Sequence, residues 1–202
     1  MRPLGLVVLA MTCLAAADAA ADVKTLVRIE KYRVSGGSGE ALMAAMDRNG
    51  PSHGFAARAI AQTRYSVAWE MGWKVEDGQC RLDAADVTLS VNYRYPELVG
   101  KASPALRKRW ARFLAGVRRH EETHGRLARQ MTVKARRAAL RVVADDDWFC
   151  IRCCWSAKRE VARVVRDVYA DYEARQERFD VLEHQPGGPV DRMVGALIGR
   201  RR

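Results

Sequence analysis

From Ser103 to about Val143 the chain carries a single apolar stripe at helical spacing, and a helix this long dictates what must pack around it. Trp110, Phe113, Leu114 and Val117 lead into His120, Glu121 and His124, and Leu127, Ala128, Met131 and Ala135 follow. Steps of three and four put all of these on one helix face. Arg112, Arg119, Glu122, Arg126 and Arg129 fall elsewhere on the helix. Ser103-Pro104 marks the start, a hydroxyl cap followed by proline at the first helical position.

The polar members of that stripe carry the chemistry. His120-Glu121-Glu122-Thr123-His124 reads H-E-x-x-H. Four residues apart on a helix, two imidazoles can turn a nitrogen toward one ion, and Glu121 beside the first is placed to take a proton from water. Two histidines, one further protein ligand and an open position form a hydrolytic zinc site rather than a structural one. Zn2+ is therefore the expected cofactor, His120 and His124 its ligands and Glu121 the general base. The plain alternative is a charged helix face that spells the motif by accident. Such a face would expose its histidines, whereas this stripe buries them, and buried imidazoles need polar partners.

Strands are expected before the helix. Leu26, Val27, Ile29, Tyr32 and Val34 mark a first one over 23–34, and a short helix over 40–47 ends at Asn49-Gly50-Pro51. Ala61, Thr63, Tyr65, Val67, Trp69 and Met71 alternate with polar or small residues, and Val87, Leu89, Val91, Tyr93 and Tyr95 repeat the pattern up to Pro96. With Asp77-Gly78 between them, these two runs predict an antiparallel hairpin with one buried face. A second long helix is expected over about 156–180, turning back near Phe149. Residues equidistant from that turn should meet, which sets the His120–His124 turn against roughly Glu173 to Asp180. The expected class is α+β, an N-terminal antiparallel sheet with a short helix followed by a two-helix hairpin. The domain should span 22–188, with 189–202 a basic, poorly ordered tail in which Met193 to Ile198 are open to a frayed helix.

Residues 1–21 have the form of a secretory signal: Arg2, an apolar run from Leu4 to Leu14, and small residues before Asp22. Periplasmic or secreted localisation follows, with no transmembrane segment. In an oxidising compartment Cys80, Cys150, Cys153 and Cys154 favour disulfides over ligands. Cys80 stands alone in the strand region, so its partner is sought in the later cluster, with Cys154 or Cys153 preferred. The formal charge is +11, from 35 Lys and Arg against 24 Asp and Glu. Solvated helix faces account for most of it, with a weak attraction to anionic envelope surfaces. No nucleic-acid-binding motif is present, and the expected partner is a peptide or protein substrate. His53 reads as a surface loop residue, and Tyr93, Tyr95 and Tyr172 are the candidates to stabilise an oxyanion.

The order of these landmarks resembles a bacterial family described as predicted secreted zinc-dependent proteases, a domain otherwise without assigned function. The residues that carry the likeness are Tyr32-x-Val34-x-Gly36, Asn49-Gly50-Pro51, Ala61-x-Thr63-x-Tyr65-x-Val67-x-Trp69, Cys80, Pro96, Trp110-x-x-Phe113, the pentad, and Gln176-x-x-Phe179-Asp180. The resemblance implies a third ligand after the aromatic-Asp pair, in a closing Thr-x-His-Gly. Here Glu183 and Gln185 stand at the Thr and His positions, and His184 lies one residue early. His184 is the expected third ligand, with Asp180 and Glu183 as alternatives.

Overall fold

The computed structural model describes residues 23–53, 57–145 and 154–200. The signal-like segment, the turn near Phe149, Cys150 and Cys153 lie outside the described residues. Strand β1 (Lys24–Val34) leads to helix α1 (Gly39–Asn49), capped by the Ser38 hydroxyl, which accepts from the Ala41 amide. Two short strands, β2 (Ser52–His53) and β3 (Ala57–Arg58), pair with each other; His53 belongs to β2. Strands β4 (Gln62–Glu76) and β5 (Gln79–Leu98) form the expected hairpin. Its turn places Asp77 at φ 53° and Gly78 at φ 74°, the left-handed pair that matches the twist of two-residue hairpins. Helix α2 (Pro104–Ala139), strand β6 (Val143–Asp145), helix α3 (Trp155–His184) and helix α4 (Pro189–Ile198) follow.

The architecture is α+β, with an N-terminal sheet and four helices among the described residues. The main sheet has the order β1-β5-β4, and β6 pairs with the start of β5. It is mixed rather than antiparallel, because β1 runs parallel to β5. Alternation tells which face is buried and says nothing about direction. Since β5 turns back at Asp77-Gly78, it ends up running the same way as β1 on its free side. Nor does Pro96 end β5. It sits buried within the strand opposite Tyr32, and the pairing continues to Leu98.

Directly paired residues share a face, so Thr63, Tyr65, Val67 and Trp69 of β4 line up with Tyr93, Val91, Leu89 and Val87 of β5. Helices α2 and α3 cover that face. One core cluster gathers Val87, Leu89, Val91, Ala128, Met131, Ala135, Val161, Val168 and Tyr172. A second gathers Tyr32, Leu42, Met46, Tyr95, Leu106, Trp110, Phe113, Val117 and Leu197. Helix α2 runs through both, and the pentad lies at the seam between Val117 and Ala128.

Two stretches differ from expectation at the C-terminal side. Helix α3 continues one turn past Asp180, which brings Glu183 and His184 onto the helix. Residues 189–198, expected as a poorly ordered tail, form α4 with Leu197 fully buried. The backbone at Leu197 and Ile198 passes so close to Gly39 that a Cβ there would stand 2.3 Å from the Leu197 carbonyl oxygen. Glycine lets α4 dock on the start of α1.

Cys80 is bonded to Cys154 across 74 residues, tying the far end of the hairpin to the start of α3. The bonded cysteines are buried with Ala157, and Trp73 packs against them.

Candidate metal centre

Helix α2 begins where expected: Ser103 Oγ accepts from the Leu106 amide at 3.2 Å, with Pro104 in the first turn. From that start the helical phase turns Glu121 toward the sheet and the two histidines toward α3. Both imidazoles are nearly covered, with side-chain exposures of 10% for His120 and 13% for His124. Phe179 of α3 stacks on His120 at 5.0 Å between centroids and meets His124 edge-on at 5.2 Å.

Three donor atoms converge. His120 Nε2 and His124 Nε2 are 3.1 Å apart, and Asp180 Oδ1 lies 3.0 Å from His124 Nε2 and 3.5 Å from His120 Nε2. A tetrahedral ion with bonds of about 2.0–2.1 Å keeps its donors about 3.3 Å apart, so the triangle has the right edge lengths. Its chemistry also fits. Asp180 Oδ1 is buried and accepts no hydrogen bond, although it stands this close to two imidazoles. An unpaired carboxylate oxygen beside two nearly covered imidazole nitrogens is a place for a cation. His120, His124 and Asp180 could hold a metal ion.

Of the residues singled out in the sequence, the structure brings together His120, His124 and, from the alternatives, Asp180. His184 stays outside that triangle. Its Nδ1 bonds the Asp180 carbonyl oxygen at 2.9 Å, one helical turn back, and its ring stands edge-on to His120 at 5.2 Å. The extra turn of α3 is the cause, because it commits His184 to the backbone of its own helix. Glu183 Oε2 is 3.6 Å from His120 Nδ1, too far for a hydrogen bond.

Glu121 is buried, and its carboxyl is held from the sheet. Thr63 Oγ1 of β4 lies 2.6 Å from Glu121 Oε2 and 3.1 Å from the Glu121 carbonyl oxygen, as donor to both. Burial raises the Glu121 pKa, while the Thr63 bond and the proximity of His124 oppose the rise. His120 moves the other way. Burial first, and then the neighbouring His124, lower its pKa to about 4, so it is neutral at ordinary pH and free to ligate.

Tyr93 packs its hydroxyl on Gly125, where a Cβ would stand 1.8 Å away; glycine after the second histidine is what lets the helix approach the sheet. Tyr95 stacks on Tyr93 at 5.8 Å. Tyr172 points its hydroxyl at Gln176. Gln176 Oε1 in turn lies 2.8 Å from His124 Nδ1. Sequence reading passed over Thr63 and Gln176 as site residues. A signal was present for each: Thr63 is the polar member of an apolar strand face, and Gln176 stands one turn before Asp180 on the stretch expected to face the pentad.

No curated protein and no solved structure matches the chain. The helix pair, the disulfide and the converging donors all fall within residues 29–188, the span matched by the profile of a family described as "Bacterial protein of unknown function (DUF922)". The chain belongs to that bacterial family.

Proposed function

We propose that this protein is an exported zinc-dependent peptidase, with His120, His124 and Asp180 holding the metal and Glu121 handling the proton. The observation that carries the reading is the triangle of donors 3.0–3.5 Å apart, built on an H-E-x-x-H helix with the motif glutamate buried beside it. Two histidines and a carboxylate are a donor set of hydrolytic zinc, with room for water. A zinc ion held there supplies Lewis acidity toward water and toward a peptide carbonyl.

The rest is the work of the chain. Glu121, its pKa raised by burial, takes the proton of the attacking water and returns it to the leaving amine. Thr63 holds one carboxylate oxygen and leaves the other for that exchange. Strand β4 is an edge of the main sheet and contributes Thr63, so an extended peptide added along it would run beside the centre. Export is supported by the signal-like residues 1–21 and by the Cys80–Cys154 disulfide, and no described helix is long and apolar enough to cross a membrane.

A second reading keeps the metal and drops the catalysis. The Thr63 bond and the burial of Glu121 favour it, since the same features would serve a carboxyl that only packs. One substitution separates the two. Glu121→Gln should retain zinc and fold while peptide hydrolysis by the parent is lost. A parent that binds zinc stoichiometrically and cleaves no peptide library would leave the second reading standing.

A further inference from the structure

We infer that Gln176 is the positioning residue of the centre, holding His124 in the tautomer that keeps Nε2 bare for a metal. The inference rests on the reading of the centre as a metal site. Ligating histidines need their second nitrogen engaged, because that bond fixes both the ring orientation and which nitrogen carries the proton.

The geometry assigns each atom. Gln176 Oε1 lies 2.8 Å from His124 Nδ1, and Gln176 Nε2 donates to the Tyr172 hydroxyl. An amide turned the other way would present its NH2 to His124 and force the ring proton onto Nε2, against the centre. Tyr172 takes the NH2 end instead. The carbonyl end of the amide then faces His124. The Tyr65 and Tyr172 rings meet edge-on at 5.2 Å.

The contacts run from the Tyr65 ring on β4 to Tyr172 and Gln176, one turn apart on α3, and on to His124 on α2. With Nδ1–H committed to Gln176, the single proton between the two facing Nε2 atoms belongs to His120 in the metal-free protein. It is the proton that a metal displaces.

The test reads the tautomer directly. Side-chain 15N NMR of the metal-free full chain at neutral pH should show His124 protonated at Nδ1 and bare at Nε2. In Gln176→Leu the proton should move to Nε2, and Gln176→Glu, which keeps an acceptor, should restore it. Zinc affinity, measured by competition with a chromophoric chelator, should fall about 10–100-fold in Gln176→Leu and stay at or above the parent in Gln176→Glu. Thermal unfolding of the metal-free variants serves as the folding control. A parent His124 carrying its proton on Nε2 overturns the inference, as does a folded Gln176→Leu that binds zinc as the parent does. If the parent binds no zinc at all, the peptidase reading falls, and the tautomer still decides the role of Gln176.

Discussion

At one end of the α2–α3 pair, Cys154 is bonded to Cys80, and Ala157, Trp73 and Ala144 pack against the bond with apolar atoms. At the other end, His120, His124 and Asp180 turn three lone-pair atoms toward one another, with Glu121 buried alongside. The same two helices are therefore closed in two ways. The disulfide end is complete in itself, since its bond is covalent and its described neighbours are apolar. The polar end is favourable only when a proton or a cation is shared among its donors. Stability that depends on an added ion is the usual mark of a site rather than of a core.

Breaking the disulfide end should have the largest effect on stability. Replacing Cys80 and Cys154 by Ala should cost about 4–5 kcal/mol in urea unfolding, the chain-entropy value for a loop of this length. The zinc affinity of the folded variant should match the parent. A parallel loss of affinity would show that the two ends are not independent.

Loading the polar end should act more weakly. Zinc at one hundred times its dissociation constant should stabilise the parent by about 2.7 kcal/mol, and a chelator should reverse it. His124→Ala should show no such gain. Stabilisation that persists in that variant would move the ion to another part of the chain.

Acid should weaken the same end in the metal-free protein. His120 is held near pKa 4 in the fold against 6.5 in an unfolded chain, so the unfolded chain takes up the proton first as pH falls. Its contribution is complete above pH 6.5 and is lost toward pH 4, about 2–3 kcal/mol in all. Glu121 opposes it. Its raised pKa favours the fold at low pH, and that contribution is lost as pH rises through the folded value. Unfolding free energies measured from pH 7 to 4 should therefore fall more steeply in Glu121→Gln than in the parent, and less steeply in His120→Gln. Equal slopes in all three would remove His120 and Glu121 as the titrating groups.

The smallest expected effect concerns the seam itself. Gly125→Ala drives a Cβ into the Tyr93 hydroxyl and should cost about 1–3 kcal/mol as overpacking. Adding Tyr93→Phe should recover part of the loss in thermal unfolding. No recovery would mean that the helix, not the hydroxyl, gives way.

Much of this was legible in the residues. Period 3.6 from Trp110 to Ala135 marked α2, its cap and its buried face; period 2 from Ala61 to Met71 and from Val87 to Tyr95 marked the β4–β5 hairpin. Counting back from the turn set the pentad against the stretch that includes Gln176 and Asp180. Local rules sufficed there because hydrophobic periodicity and hydrogen bonding act within a few residues along the chain. The Cys80–Cys154 bond was one of the pairings left open.

What sequence alone determined is thus the elements, their faces and the two histidines that share one of them. Tertiary structure decided the rest. The parallel course of β1, the docking of α4 at Gly39 and the extra turn of α3 depend on which surfaces meet, and no short-range pattern records that. The third donor shows the reason most plainly. Asp180, Glu183 and His184 lie within five residues of one another, and the family resemblance put the histidine first. Only the continuation of α3 ties His184 to the Asp180 carbonyl and turns the Asp180 carboxylate to the pair on α2, because a helix gives each residue a fixed direction that its neighbours must share.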